Sequence, residues 1–320
     1  MSENATENNR IKILAIVGPT ASGKTKLAVD LAKNLNGEVV SADSMQIYKE
    51  MNIGTAKPTK EEMQGIPHHL IDFLDIDEEF SVADYVKLAK EEISKIYAKG
   101  KLPIVCGGTG LYVNSLLDNV DFSMKNSDSE VRKKLEDRLK EEGVEPLLKE
   151  LKEVDYETYE KLHPNNTKRI IRALEMYKVS GINKTKQMEN SRKNAPIYTP
   201  TILGLTYRDR AQLYSRIDHR VDIMMQEGLL DECARILAKK CSKTALNAIC
   251  YKEFIPYFRG EISLSSAVEE LKKTTRRYAK RQLTWFRRDP RVEWIYVDNY
   301  ESLDVIAKIY TKRWILNRDV

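Results

Sequence analysis

Ile11-Lys12-Ile13-Leu14-Ala15-Ile16-Val17, followed at once by Gly18-Pro19-Thr20-Ala21-Ser22-Gly23-Lys24-Thr25, is the stretch on which the fold turns. The first seven residues are a nearly continuous apolar run, as in a strand buried on both faces. The next eight fit the pattern G-x-x-x-x-G-K-[ST], and Leu27, Ala28, Leu31, Ala32 and Leu35 then recur at helical spacing. In such a loop the glycines let successive backbone N–H groups converge on phosphate oxygens. The helix N-terminus adds positive potential, Lys24 neutralises phosphate charge, and the Thr25 hydroxyl can hold Mg2+. The competing reading is a plain strand-to-helix turn. Average residue frequencies give a chance match in about one chain in a hundred of this length.

Outward from that stretch, Gly37 ends the helix and Glu38 to Ala42 makes a second strand. Val82 to Tyr97 reads as an amphipathic helix stopped by Gly100, and Leu102 to Cys106 as a strand running into Gly107-Gly108-Thr109-Gly110. This alternation predicts an α/β fold: a P-loop NTPase-like open, mostly parallel sheet. From about Ser127 to Asn194 the pattern turns polar and helical. Val131, Leu135 and Leu139 space one helix closed by Gly143, and Leu147 to Leu151 gives a second. A third begins at His163-Pro164, carries Ile170, Ile171, Leu174 and Tyr177 on one face, and ends at Gly181. Strand character returns at Thr201 to Thr206, followed by helices at about Arg210 to Lys239 and Ser265 to Arg287 and a strand near Val292 to Val297. The expected organisation is a core in two parts, 1–122 and 199–320, with an all-helical insertion domain at 123–198.

Composition sets bounds. With 42% hydrophobic and 32% charged residues the chain buries a sizeable core beneath a heavily solvated surface. Met1 to Asn9 reads as a disordered polar tail. No apolar run nears the roughly 18 residues of a membrane span, and no basic segment leads into an apolar one, so the expectation is a cytoplasmic protein without a membrane segment. Cys106, Cys233, Cys241 and Cys250 form no C-x-x-C pair or zinc-type array and read as reduced thiols. His68-His69 suggests a metal, but adjacent side chains diverge and no second cluster completes a site.

Ligands of open parallel sheets sit beyond the carboxyl ends of the strands. The P-loop, Asp43 and Ser44 past the second strand, and Thr109 past the third are therefore expected to converge. Asp43 can also be read as a cap or turn acid, and the glycine run as a tight backbone turn. A kinase needs a carboxylate for magnesium, and the nearest candidate is Leu70-Ile71-Asp72. Lys272, Lys273, Arg276, Arg277, Lys280, Arg281, Arg287, Arg288 and Arg291 stand against one acid, Asp289, interleaved with Tyr278, Trp285 and Phe286. Such helices suit a nucleic-acid backbone and unstacked bases, with a solvated face as the plainer alternative. Lys168, Arg169 and Arg172 form a smaller patch. Among Arg208, Arg210, Arg216 and Arg220 the last two, four apart, share a helix face and can clamp a diphosphate.

Together the P-loop, Ser41-Ala42-Asp43-Ser44-Met45-Gln46-Ile47-Tyr48, Ile53-Gly54-Thr55-Ala56-Lys57-Pro58, His68-His69-Leu70-Ile71-Asp72, Gly107-Gly108-Thr109-Gly110-Leu111-Tyr112 and Lys280-Arg281-Gln282-Leu283-Thr284-Trp285-Phe286-Arg287 resemble the bacterial tRNA dimethylallyltransferases, in order and over nearly the whole chain. The chain is expected to be a monomer; the resemblance implies that dimethylallyl diphosphate, not ATP, occupies the cradle of residues Gly18 to Thr25 with Mg2+. It implies transfer to the exocyclic amine of the adenosine immediately 3′ of the anticodon, with release of pyrophosphate. Asp43 is then the general base, Thr109 sits at the reaction centre, and Lys24 acts on the diphosphate with Arg216 and Arg220. The tRNA anticodon stem-loop would meet Asp43, Ser44, Met45, Gln46 and Thr109, then Arg132, Lys168, Arg169, Ile170, Ile171 and Arg172 of the insertion. It would also meet Asn247, Tyr251, Lys280, Arg281, Gln282, Trp285, Phe286 and Arg287. One departure stands out: the family usually has Gly at the position of Cys250, where a positive φ would make Cys cost on the order of 1 kcal/mol. The C-terminal zinc finger of eukaryotic relatives has no counterpart in the cysteines and histidines. The main alternative is a P-loop kinase of a nucleoside or small phosphate acceptor. A nucleotide-switched RNA-binding protein and a free-adenylate prenyltransferase are further readings.

Overall fold

The computed structural model describes residues 10–122, 128–191 and 194–316. The tail Met1 to Asn9 and the expected start of the insertion at residue 123 lie outside them. The chain forms two compact units, Met1–Leu117 with Ile197–Val320, and Asp118–Pro196.

In the first unit β1 (Ile11–Val17), β2 (Gly37–Ser41), β3 (His68–His69), β4 (Leu102–Gly107), β5 (Tyr198–Thr206) and β6 (Val292–Tyr296) make one sheet in the order β3-β2-β4-β1-β5-β6, with every pairing parallel. The apolar run of β1 puts it in the middle. Leu14 and Ile16 pack with Leu203 and Leu205 against Leu27, Leu31 and Ile306, while Ile13, Ala15 and Val17 are fully buried as well. Each such Ile or Leu contributes about 1.5–3 kcal/mol relative to exposure. From β1 the chain runs through β2, β3 and β4 on one side and through β5 and β6 on the other. The strand order therefore reverses at β1, and the crevice at its carboxyl end is the position where such sheets bind ligands.

Helices α1 (Lys24–Leu35), α2 (Val82–Ala98) and α3 (Gly110–Leu117) follow β1, β3 and β4. Ser81 and Asp84 start α2 with a reciprocal capping box. The second unit is wholly helical among its described residues: α4 (Ser129–Glu142), α5 (Glu145–Val154), α6 (Thr167–Ser180) and α7 (Lys184–Ser191), with a further short helix at Tyr156–Lys161. Its core is Leu135, Leu147, Leu148, Leu151, Ile170, Ile171 and Leu174. α6 begins at Thr167 rather than at His163, whose carbonyl instead accepts Asn166 N–H in a turn.

The long helix expected over Arg210 to Lys239 is two, α8 (Arg210–Gln226) and α9 (Leu229–Leu237), broken at Gly228 with φ 97°. Then come α10 (Leu264–Phe286) and α11 (Leu303–Leu316). β3, α3 and α11 are additions to the elements read from sequence. No described helix is long and apolar enough to cross a membrane.

Candidate active site

The loop after β1 takes its shape from close approach. Gly18 has φ 142° and a Cβ there would lie 2.5 Å from Leu205 O; Gly23 has φ 92° and would meet the Leu303 side chain at 2.6 Å. α1 then opens with no side-chain cap and no acid in its first turn, so its N–H groups and dipole face an anion unopposed. Lys24 Nζ donates to Pro19 O at 2.6 Å. Burial pulls the Lys24 pKa down to about 8; Cys106 and Asp43 work against that pull and Arg220 with it. Arg220, from α8, is depressed by burial too, and no acid pairs with its guanidinium among the described residues. Two half-buried, desolvated cations that are costly to hold without an anion mark the cradle.

Asp43, just past β2, curls into a local turn: its Oδ1 accepts from Met45 N at 2.8 Å and Gln46 N at 3.3 Å. The turn-acid reading is thus also realised. It fixes the carboxylate and leaves Oδ2 with no hydrogen bond among the described residues. Thr109 Oγ1 accepts from Ser44 N at 3.0 Å and donates to Ser44 Oγ at 3.3 Å, joining the β2 and β4 ends. Lys24, Thr25, Asp43, Ser44, Met45, Gln46 and Arg220 line one cavity of about 310 Å3 together with Tyr278 and Arg281 of α10. Arg216 does not line it. Exposed, it donates from Nε to Ala21 O, so the expected Arg216–Arg220 clamp separates into one cavity arginine and one loop brace.

The glycines after β4 are not a strained turn, for Gly107, Gly108 and Gly110 all lack positive φ. They are small because of what lies against them. A Cβ on Gly107 would be 2.2 Å from Ala42 O, on Gly108 2.1 Å from Gln282 Nε2, and on Gly110 2.1 Å from Trp285 Cδ1. α10 thus seats directly on this loop.

Of the nine cations in and after α10, acids take five, two of them through partners on α8 and three through acids of the same segment. Asp222 and Glu269 pair with Lys272, Glu270 with Lys273 and Arg277, Asp218 with Arg276, and Asp289 with Arg291. The sequence stretch concealed the pairing of Lys272 and Arg276, because Asp222 and Asp218 sit on α8. Lys280, Arg281, Arg287 and Arg288 are exposed with no acid partner among the described residues, and Arg281 lies over the Tyr278 ring. Trp285 is 37% exposed, with Nε1 donating to Asn114 Oδ1 at 3.1 Å.

Four residues expected at the tRNA surface are corrected to packing roles. Phe286, Tyr251 and Ile170 are at most 1% exposed and Ile171 is 6%, each held by the apolar contacts that drive folding. Gln282 is buried as well, and both ends of its amide are bonded to backbone. Tyr251 donates to Glu232, a buried carboxylate whose two oxygens also accept from Asn52, Ile53 and Gly54 N–H. That anchor fixes the loop whose Thr55 and Ala56 carbonyls hold the Gln46 side chain. Glu232 was missed from sequence, and Tyr278 was read only as an aromatic of the basic stretch, not as a residue of the cavity. Tyr278 left one signal, its place three residues before Arg281 on one face; Glu232 left none.

Asn247 is exposed and donates to Lys243 O. In the helical unit Lys168 and Arg169 are exposed, while Arg132 and Arg172 both pair with the buried Glu175. His69 bridges Glu38 and Glu92, and His68 Nδ1 donates to Ile66 O. Asp72 pairs with Lys57 and stays outside the cavity. Cys250 has φ 92° and is buried in the cavity wall, so the strain conditional on a positive φ applies.

A family model described as IPP transferase matches residues 46–289. A tRNA dimethylallyltransferase of Thermoanaerobacter sp. is 51% identical over 302 residues, 93% of this chain and 96% of that one. The structure of a tRNA isopentenylpyrophosphate transferase from Bacillus halodurans is 45% identical with a TM-score of 0.66, covering 89% of each chain. A eukaryotic dimethylallyltransferase acting on tRNA is 31% identical with a TM-score of 0.73, covering 86% of this chain and 70% of that one.

Proposed function

The chain belongs to the tRNA dimethylallyltransferase family, enzymes that transfer a dimethylallyl group to tRNA, and from that membership we propose the finer reaction. Dimethylallyl diphosphate binds in the cradle of residues 18–25, and its prenyl group passes to the exocyclic amine of the adenosine 3′ of the anticodon, releasing pyrophosphate. One observation carries the reading: the cavity that holds Lys24, Thr25 and Arg220 also holds Asp43, Tyr278 and Arg281. A diphosphate grip, a carboxylate and the C-terminal half of the basic helix α10 thus share one space.

The adenine amine is a weak nucleophile. Asp43, oriented by the Met45 and Gln46 amides through Oδ1, keeps Oδ2 for the amine proton as the N–C bond forms and the C–O bond to diphosphate breaks. Lys24, Arg220 and the α1 amides meet the charge that grows on the leaving pyrophosphate. The base must leave its stack to reach Asp43, and the exposed cations of α10 suit the backbone around a flipped nucleotide. No described group of three His, Cys, Asp or Glu could cage a metal. One Thr25 hydroxyl beside phosphate oxygens fits Mg2+, a cation that keeps its waters and favours phosphates. Bound there, Mg2+ would neutralise leaving-group charge.

Asp43→Asn tests the assignment. The expected result is loss of transfer with tRNA affinity within a few-fold of wild type, measured by steady-state rates and filter binding on the same preparation. An active Asp43→Asn enzyme removes Asp43 from the base role.

A further inference from the structure

We propose that Gln282 sets the specificity of the cradle, closing the loop at Thr20 so that the grip suits two phosphates and rejects a third. This rests on the reading that the cradle holds a diphosphate. Gln282 is 5% exposed, and its carboxamide is used at both ends: Oε1 accepts from Thr20 N at 2.9 Å and Nε2 donates to Gly108 O at 3.0 Å. Gly108 has room for this only because it lacks a Cβ, which would stand 2.1 Å from Nε2. The clip is therefore built from both sides, and Gln282 also lines the cavity.

Its position on the loop decides the consequence. Thr20 follows Pro19, whose carbonyl takes Lys24 Nζ. In loops of this pattern the backbone amides cradle the inner phosphates and the lysine reaches the outer ones. Thr20 stands beside the residue whose carbonyl takes the Lys24 ammonium, so its N–H is assigned to the side of the cradle that the lysine serves. A longer polyphosphate would draw on that donor, but Gln282 already occupies it with an uncharged group held rigidly by α10. The selected chemistry is a diphosphate over a triphosphate.

The test compares the affinities of inorganic pyrophosphate and tripolyphosphate by calorimetry on the full chain with Mg2+. Gln282→Met keeps similar bulk without the hydrogen bonds, and Gln282→Ala removes both; thermal melting checks that each is folded. Wild type should favour pyrophosphate by about tenfold, the scale of one hydrogen bond to a charged group. Gln282→Ala should bring the ratio near unity, with Gln282→Met between. If Gln282→Ala does not fold, the Gln282→Met ratio decides. An unchanged ratio in a folded variant overturns the proposal and leaves Gln282 a packing residue. Wild type that binds both anions equally overturns it too, with the diphosphate reading intact. Wild type that binds neither sinks that reading and this inference together.

Discussion

Lys24 is half-buried, and desolvation with Arg220 close by leaves its protonation poised: its pKa is lowered to about 8 from an ordinary 10.5. An anion in the cradle favours the charged form. Above about pH 8, binding of dimethylallyl diphosphate must therefore take up a proton, and log affinity should fall by up to one unit per pH unit. Below that pH the lysine is already charged and affinity should be flat. Calorimetry in buffers of different ionisation enthalpy checks this, and flat affinity through about pH 9 would contradict it. Cys250 yields an inverted ranking. With φ 92° and 4% exposure, it pays a left-handed penalty that Ala would keep and Gly would lose. Cys250→Gly should melt above Cys250→Ala by the equivalent of about 1 kcal/mol, although Gly is ordinarily the weaker replacement. Residue identity told the reader about Asp43 and Lys24 because their surroundings are local: Asp43 is fixed by residues two and three further on. It could not tell of Gln282 and Thr20, 262 positions apart, or of Glu232 beneath the Gly54 loop.

Among the elements α10 bears the clearest test, since its cations fall into two groups. Lys280 and Arg281 have no acid partner among the described residues, whereas Lys272 and Arg276 face Asp222 and Asp218 on α8. Replacing Lys280 and Arg281 by Gln should weaken tRNA binding. It should also flatten log affinity against log salt by about 1.4, at roughly 0.7 per phosphate contact on single-stranded RNA. The Lys272/Arg276 double Gln variant should leave the slope nearly unchanged and instead lower the melting temperature. Trp285→Ala should lose affinity at every salt concentration with the slope kept, as stacking does. Normal tRNA binding by Trp285→Ala would make its contacts with Gly110 and Asn114 its whole role. Local pattern located β1, α1, α2, β4 and α10 to within a residue or two: unbroken apolar runs for the two strands, helical spacing with glycine stops for α1 and α2, and the long basic stretch for α10. It missed β3, two residues at an edge, and α3, whose glycine-rich start is dictated by α10 rather than by its own sequence.

At the scale of the whole molecule, the parallel sheet followed from the strand–helix alternation, while the reversal of strand order at β1 depends on long-range pairing that no local pattern encodes. The helical unit Asp118–Pro196 has its own core and its chain ends lie side by side, with Asn119 Nδ2 donating to Ala195 O at 2.9 Å. We propose that it serves tRNA binding. Replacing it by a short linker should leave a folded first unit that still binds dimethylallyl diphosphate and loses most tRNA affinity. Failure to fold, by circular dichroism and thermal melting, would show that the first unit needs it. The central claim is the reaction itself, and mass analysis of nucleosides tests it most directly. Unmodified tRNA is incubated with the enzyme, Mg2+ and dimethylallyl diphosphate, then digested and sequenced by fragment mass. The account predicts one dimethylallyl group in place of one amine hydrogen on the adenosine 3′ of the anticodon, with wild type and not with Asp43→Asn. A prenyl group on any other nucleoside, or an equal yield from Asp43→Asn, would contradict it.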